Sequence, residues 1–189
     1  MAGVLSAAIP AMAALHDGDI APDFRTQASL AGKAFNFSLK DALKKGPVVV
    51  YFYPSAYTGG CNVQAHDFAA NSDKFAVAGA TVIGVSQDSI ARLNEFSADP
   101  AYCAGKVAVA SDSDGKIARS YDLASRVTVP GKKDTRGVEI NHGFTERTTF
   151  VITPDGKIAA TLTALAPAAN VLKSLEVVQQ LSDAGKSNW

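Results

Sequence analysis

Six consecutive residues, Val48-Val49-Val50-Tyr51-Phe52-Tyr53, are all β-branched or aromatic. A run without polar alternation has no solvent face, so it demands a strand covered on both sides. Such strands lie in sheets sandwiched between helices, and Pro54, which cannot donate to a strand ladder, ends this one. Shorter apolar runs at Thr81–Ser86 and Val107–Ala110 predict two more buried strands. Thr148–Thr153 and Lys157–Leu162 flank the turn sequence Pro154-Asp155-Gly156 and predict a hairpin. Between the strands, apolar residues recur at helical spacing. Ala65, Phe68, Ser72 and Phe75 follow Cys61 on one face; Ile90, Leu93 and Phe96 follow Asp88 or Ser89 as cap and stop before Pro100; Leu172, Leu175, Val178 and Leu181 mark a closing helix. With a short helix near Ile117–Tyr121, the expected order is β-α-β-α-β-α-β-β-α. This is an α/β fold, a central mixed β-sheet flanked by helices on both faces.

The 189 residues suit one domain, expected over 16–189. Residues 1–15 read as an apolar N-terminal arm or a signal remnant. Ala11-Met12-Ala13 has the small-x-small form of a cleavage site, yet no Lys or Arg precedes it. The arm reading places the chain in the cytoplasm and the signal reading in the periplasm; both stay open. No stretch is long and apolar enough for a membrane span. Eighteen Lys and Arg balance eighteen Asp and Glu, which leaves no basic excess to neutralise phosphates and argues against nucleic acid as a partner. Val127–Asn141, with Pro130-Gly131-Lys132-Lys133-Asp134, is polar and turn-rich and predicts a loop, and Asp183–Trp189 reads as a frayed tail.

Two cysteines, Cys61 and Cys103, exclude a disulfide framework and a four-cysteine zinc site. Cys61 ends the segment Tyr53-Pro54-Ser55-Ala56-Tyr57-Thr58-Gly59-Gly60-Cys61, where a buried strand gives way to a glycine loop and then a helix. Unpaired N–H groups and the positive end of the helix dipole both favour a thiolate there. The carboxyl end of a strand is also where open α/β sheets bind ligands. The plainer alternative is a buried packing cysteine. Other chemistries lack their residues. Val63 stands where a nucleophile elbow needs glycine, no phosphate loop occurs, and no second Cys lies three residues from Cys61. His66 is about 140° round a helix from Cys61, so the two cannot share a face as ligands. His16, His66 and His142 are expected as solvated surface residues, and no metal or cofactor is expected.

Gly18-Asp19-Ile20-Ala21-Pro22-Asp23-Phe24 resembles the opening of the peroxiredoxins, the AhpC/TSA family. Pro54-x-x-x-Thr58-x-x-Cys61 resembles that family's peroxidatic motif, and the preceding Tyr-Phe-Tyr-Pro is similar to the branch of bacterioferritin comigratory protein, or Q type. Arg147-Thr148-Thr149-Phe150, followed by Pro154-Asp155-Gly156, resembles the family's arginine-bearing strand and hairpin. The likeness runs from about residue 15 to about residue 183. It implies a thioredoxin-like fold and thiol-dependent reduction of hydrogen peroxide and organic hydroperoxides, through a sulfenic acid at Cys61, with thioredoxin or a similar thiol as reductant.

A free cysteine, with a pKa of ~8.5, is already about 3% thiolate at pH 7, so full ionisation raises the reactive fraction only about thirtyfold. A fast peroxidase must also align the peroxide and stabilise the departing oxygen. The resemblance gives this task to Arg147, whose rigid fork can serve sulfur and peroxide together. It gives a hydroxyl contact to Thr58 and a shielding wall to Pro54. Their plainer readings are a surface ion pair with Glu146, a helix N-cap and a strand terminator. The resolving cysteine that Q-type members often carry five residues on is replaced by His66. Cys103 is then the remaining internal resolver, or else an external thiol closes a one-cysteine cycle. The competing reading is a non-catalytic thioredoxin-fold binding or holdase module. Monomer and homodimer are both compatible with the sequence.

Overall fold

The structure, a computed structural model, describes residues 13–186. In chain order the elements are β1 (Arg25–Leu30), β2 (Lys33–Ser38), α1 (Leu39–Leu43), β3 (Val48–Phe52), α2 (Gly59–Ala70), α3 (Ser72–Val77), β4 (Thr81–Ser86), α4 (Ile90–Ala98), β5 (Ala108–Ser111), α5 (Lys116–Ser120), β6 (Ser125–Arg126), β7 (Phe144–Thr145), β8 (Thr148–Ile152), β9 (Ile158–Thr163) and α6 (Pro167–Lys186). A seven-stranded sheet has the order β2-β1-β5-β4-β3-β8-β9. β3, β4 and β5 run parallel, while the β1–β2, β1–β5, β3–β8 and β8–β9 pairs are antiparallel. The sheet is therefore mixed, as the sequence pattern requires.

Every residue of β3 is buried. Its alternate side chains enter two different cores, as the strand period dictates. Val49, Tyr51 and Tyr53 pack with Phe68 of α2, Phe75 of α3, Phe96 of α4 and Val171 of α6. Val48, Val50 and Phe52 pack with Leu39 and Leu43 of α1, Ala118 of α5 and Tyr121. Tyr51 pairs with Gly84 of β4, and a Cβ on Gly84 would lie 2.5 Å from the Tyr51 ring. The glycine in the TVIGVS strand thus leaves the space that the tyrosine fills.

The structure contains elements that apolar runs do not announce. β1 buries only Ala28 and Ser29, and β2 forms the sheet edge, so neither carries a continuous apolar signature. Their connection is Ala31-Gly32, both at positive φ (50° and 78°), the two-residue geometry that matches strand twist. The helix expected to continue from Cys61 through Phe75 breaks at Asn71 (φ −103°, ψ 9°) into α2 and α3. At the other end α6 continues to Lys186, so Asp183–Lys186 are helical rather than frayed. Most of the signal-like segment lies outside the described residues; Leu15 is anchored by Thr161 Oγ1, which donates to its carbonyl at 2.7 Å. Residues 127–141 form an irregular loop between β6 and β7, as expected. Among the described residues no helix is long and apolar enough to cross a membrane.

Candidate active site

β3 delivers the chain into the loop 53–58 at the carboxyl end of the parallel strands. Tyr53 still donates its N–H to Val85 O at 3.1 Å. Pro54, partly exposed, then opens the loop, and Ser55, Ala56 and Tyr57 are buried. Thr58 occupies the N-cap position of α2 with extended dihedrals, and its carbonyl accepts the first helical bond from Asn62 N at 2.8 Å. Its hydroxyl makes no cap bond. It donates instead to Ser55 O at 2.8 Å, a bond that uses its hydrogen and leaves its oxygen as an acceptor. Gly59, Gly60 and Cys61 form that first turn, where N–H groups have no partner inside the helix.

The Cys61 side chain is almost wholly buried, and Arg147 Nη2 donates to its Sγ at 3.3 Å. Arg147 lies between β7 and β8, and β8 pairs with β3; strand order thus carries the guanidinium to the cysteine. Its other terminal nitrogen, Nη1, donates to Gln64 Oε1. Gln64 is fully buried one turn beyond Cys61 on α2. Its amide nitrogen donates to Asn170 Oδ1 at 3.1 Å, and that oxygen also accepts from Thr149 Oγ1 at 2.6 Å. Asn170 Nδ2 donates to Leu162 O at 3.3 Å. This relay sets which way each amide points, so the guanidinium fork meets an acceptor on one nitrogen and sulfur on the other. The neutral Gln64 leaves the arginine charge uncompensated for the sulfur, where a carboxylate would compete for it.

Gly60 matters for the same geometry. A Cβ there would stand 3.1 Å from Arg147 Nη2 and 3.2 Å from Pro167 Cγ. Gly60→Ala should therefore push the guanidinium aside and slow the reaction of Cys61 with peroxide about tenfold, while helix propensity offsets the crowding by up to about 1 kcal/mol. Stopped-flow rates beside a thermal melt check this; a peroxide rate within twofold of the parent would refute the steric argument.

The loop is also held from beneath. Asp88, fully buried after β4, accepts from Ala56 N (2.7 Å), Ser55 Oγ (3.0 Å) and Ser86 Oγ (2.7 Å). His142 Nε2 lies 2.8 Å from Asp88 Oδ1. His142 is therefore not the solvated surface residue expected from sequence; its side chain is 13% exposed and belongs to the support of the loop. Burial pushes the Asp88 carboxyl up, but the hydrogen bond and charge of His142 and the Ala56 N–H outweigh it and hold the carboxyl below its ordinary value. Burial works against the His142 imidazolium, but its hydrogen bond to Asp88, the Asp88 charge and the Gly143 carbonyl outweigh that and raise it.

Cys103 lies in the turns after α4, fully buried in the same core cluster as Cys61, and both thiols are free. Burial, aided by the charge of Asp99, pushes its thiol far above the ordinary range. In the folded conformation Cys103 is thus a protonated packing group. Among the described residues no group of three or more His, Cys, Asp and Glu is gathered as a metal cage.

The structure thus brings Cys61, Thr58 and Arg147 to one locus and places Pro54 at the start of the same loop. Gln64 and Asn170 are supporting residues that sequence reading missed, and Asp88 and His142, expected as a candidate cap and a surface residue, join them in that role. Only Gln64 had a sequence signal, its i+3 spacing from Cys61; the others arrive from distant segments.

A thioredoxin-like sheet that presents a lone thiol at a helix start, with a guanidinium on its sulfur, defines a cysteine-based redox enzyme. Comparisons with known proteins narrow this. The AhpC/TSA family profile matches residues 18–161. Peroxiredoxin Bcp of Escherichia coli is 31% identical over 144 residues, covering 76% of this chain and 83% of that one. A Helicobacter pylori J99 relative that carries the bcp name is 35% identical over 167 residues, 87% of this chain and 100% of that one. Among solved structures, peroxidoxin BcpB of Mycobacterium tuberculosis superposes with a TM-score of 0.73 at 26% identity, covering 88% of this chain and 98% of that one. The chain belongs to the AhpC/TSA family, in its Bcp or peroxiredoxin Q branch, and is a thiol-dependent peroxidase.

Proposed function

We propose that Cys61 is the peroxidatic nucleophile for hydrogen peroxide and small organic hydroperoxides, that Arg147, Thr58 and Pro54 form its pocket, and that Cys103 resolves the oxidised form. The observation that carries this reading is the 3.3 Å contact from Arg147 Nη2 to Cys61 Sγ. A solved structure of Xanthomonas campestris bacterioferritin comigratory protein, described for its alkyl peroxide reduction activity, is 27% identical with a TM-score of 0.65 over 82% of this chain and 91% of that one, and supports the substrate class.

The Cys61 thiolate attacks the nearer peroxide oxygen in line with the O–O bond. That bond breaks, and the departing oxygen takes a proton to leave as water or alcohol. Arg147 remains charged throughout and donates to sulfur in the ground state. As the S–O bond forms, the same fork stabilises the charge that moves onto the leaving oxygen. The Thr58 hydroxyl accepts the hydrogen of a bound hydroperoxide, and Pro54, which lacks an N–H, closes the pocket against water. The product is a sulfenic acid at Cys61. Cys103 attacks it, a disulfide forms and water leaves. A dithiol donor of the thioredoxin kind then reduces the bridge and is itself oxidised. All these groups come from one chain, so a monomer or a homodimer serves equally.

Treating the reduced protein with one equivalent of peroxide and weighing it intact tests the reading. The expected change is a loss of two hydrogens that Cys103→Ala abolishes. A persistent gain of one oxygen would instead hand resolution to an external thiol. An unchanged mass would overturn the peroxidase assignment and favour the binding or holdase module.

A further inference from the structure

The loop 127–141 reaches back to the segment that leads into α2, and its tip grips Tyr57, which precedes the Thr58 cap of that helix. Tyr57 sits at φ 60°, a left-handed conformation that a bulky side chain adopts only when its surroundings enforce it. Here Thr135 enforces it twice. Its N–H and its Oγ1 both donate to Tyr57 O at 2.9 Å. Above the ring, the Arg136 guanidinium lies 3.4 Å from the Tyr57 centroid. The loop tip is itself fixed by Asp134, which is fully buried. That carboxylate accepts from the N–H groups of Arg136 (2.8 Å) and Val138 (3.0 Å) and from Arg92 Nη2 (2.7 Å). Arg92 Nη2 also donates to Ala56 O at 2.9 Å, and Arg136 reaches Glu95 of α4 at 2.8 Å. Tyr57 is therefore gripped by the loop through hydrogen bonds and ring contact, while Arg92 of α4 ties Ala56 O to the buried Asp134 of the loop.

The position of that grip gives it a consequence. The Tyr57 ring packs edge-on against Phe96 (4.9 Å) and Tyr102 (5.7 Å), and Tyr102 immediately precedes Cys103. Both thiols are free and buried, and a bridge between them is expected to draw on local unwinding of the first turn of α2 and exposure of Cys103. Tyr57 is where both movements meet.

The geometry points to Thr135 and Arg136 as positioning residues that latch the peroxide-reactive conformation of Cys61, with the fate of its sulfenic acid serving as a readout of latch release. Released, the sulfenic acid condenses with the Cys103 thiol, forms the S–S bond and expels water. Held, it stays in the pocket, where a second hydroperoxide transfers one oxygen to sulfur, leaves as water or alcohol, and yields a sulfinic acid. This inference rests on the assignment of Cys103 as resolver for its second half only; the latch itself does not depend on it.

The test uses the full chain carrying Thr135→Val and Arg136→Met together. The first removes one donor at constant shape, and the second removes the charge while keeping the stem. Hydrogen exchange over the peptide spanning residues 57–70 is expected to speed up about tenfold, with strand β3 unchanged, as the closed conformation loses part of its stabilisation. After a pulse of excess hydrogen peroxide, the mass-resolved ratio of disulfide to sulfinic acid is expected to rise by about the same factor. The doubly conservative variant Thr135→Ser with Arg136→Lys restores both contacts and should return the ratio to within about twofold of the parent, which general destabilisation would not do. Exchange and product ratio both within twofold of the parent in the Val/Met variant would overturn the latch. If the parent itself never forms the bridge, the Cys103 assignment fails. The latch is then judged on exchange alone, with a tenfold acceleration supporting it and an unchanged rate overturning it.

Discussion

Cys61→Ser is expected to lose peroxide reduction by more than about 10⁴-fold, to the level of buffer. The reason is specific to this site. A cysteine is intrinsically nucleophilic and readily supplies a thiolate, whereas a serine hydroxyl needs an adjacent base to become one. The group that contacts the Cys61 sulfur is the Arg147 guanidinium, a permanent donor that cannot take a proton. The serine oxygen would thus accept the arginine hydrogen bond and stay protonated. The fold should tolerate the change. The side chain is nearly isosteric, and the new hydroxyl has a charged partner in place, so the stability cost is held to about 1 kcal/mol. Stopped-flow peroxide consumption and a thermal melt on the same preparation separate the two effects. A variant that consumes peroxide within tenfold of the parent would transfer the chemistry to some other group.

Arg147→Met is expected to cost about 10²–10³ in the second-order rate with peroxide, the range seen when a fixed donor is removed from a site of developing negative charge. The loss combines weaker stabilisation of the buried thiolate with weaker stabilisation of the leaving oxygen, both of which the guanidinium serves. Arg147→Lys discriminates charge from shape. It keeps the cation but not the fork, and a single ammonium on a flexible stem cannot reproduce the paired contacts that Arg147 makes to sulfur and Gln64. Lysine should therefore recover only part of the loss. A lysine variant at the parental rate would show that charge alone suffices and would leave the Gln64–Asn170 relay without a catalytic consequence.

The same relay shows where reading a sequence stops. β3, β4, β8 and β9 were legible because each is a short apolar run or flanks a turn triplet, signals contained within a few residues. Ser89 as the cap of α4 was among the expected pair, and its Oγ accepts from Arg92 N at 3.3 Å. The β1–β2 hairpin was not legible, since an edge strand buries too little to impose a pattern. The break at Asn71 was invisible because the apolar spacing runs on past it, into Phe75 of the next helix.

Cysteine at the start of a helix, at the end of a doubly covered strand, is a local fact, and the residue order alone determined it, together with the α/β class and the closing hairpin. The arginine that faces the sulfur comes from 86 residues away, Asn170 lies 106 residues from Gln64, and His142 lies 54 residues from Asp88. Those meetings depend on β3 lying between β4 and β8 in the sheet. Periodicity, caps and turns are set within about four residues along the chain, so they place one reactive atom. Which buried polar groups surround that atom is settled only when strands from distant segments pair, because a buried donor or acceptor must find its partner across the fold.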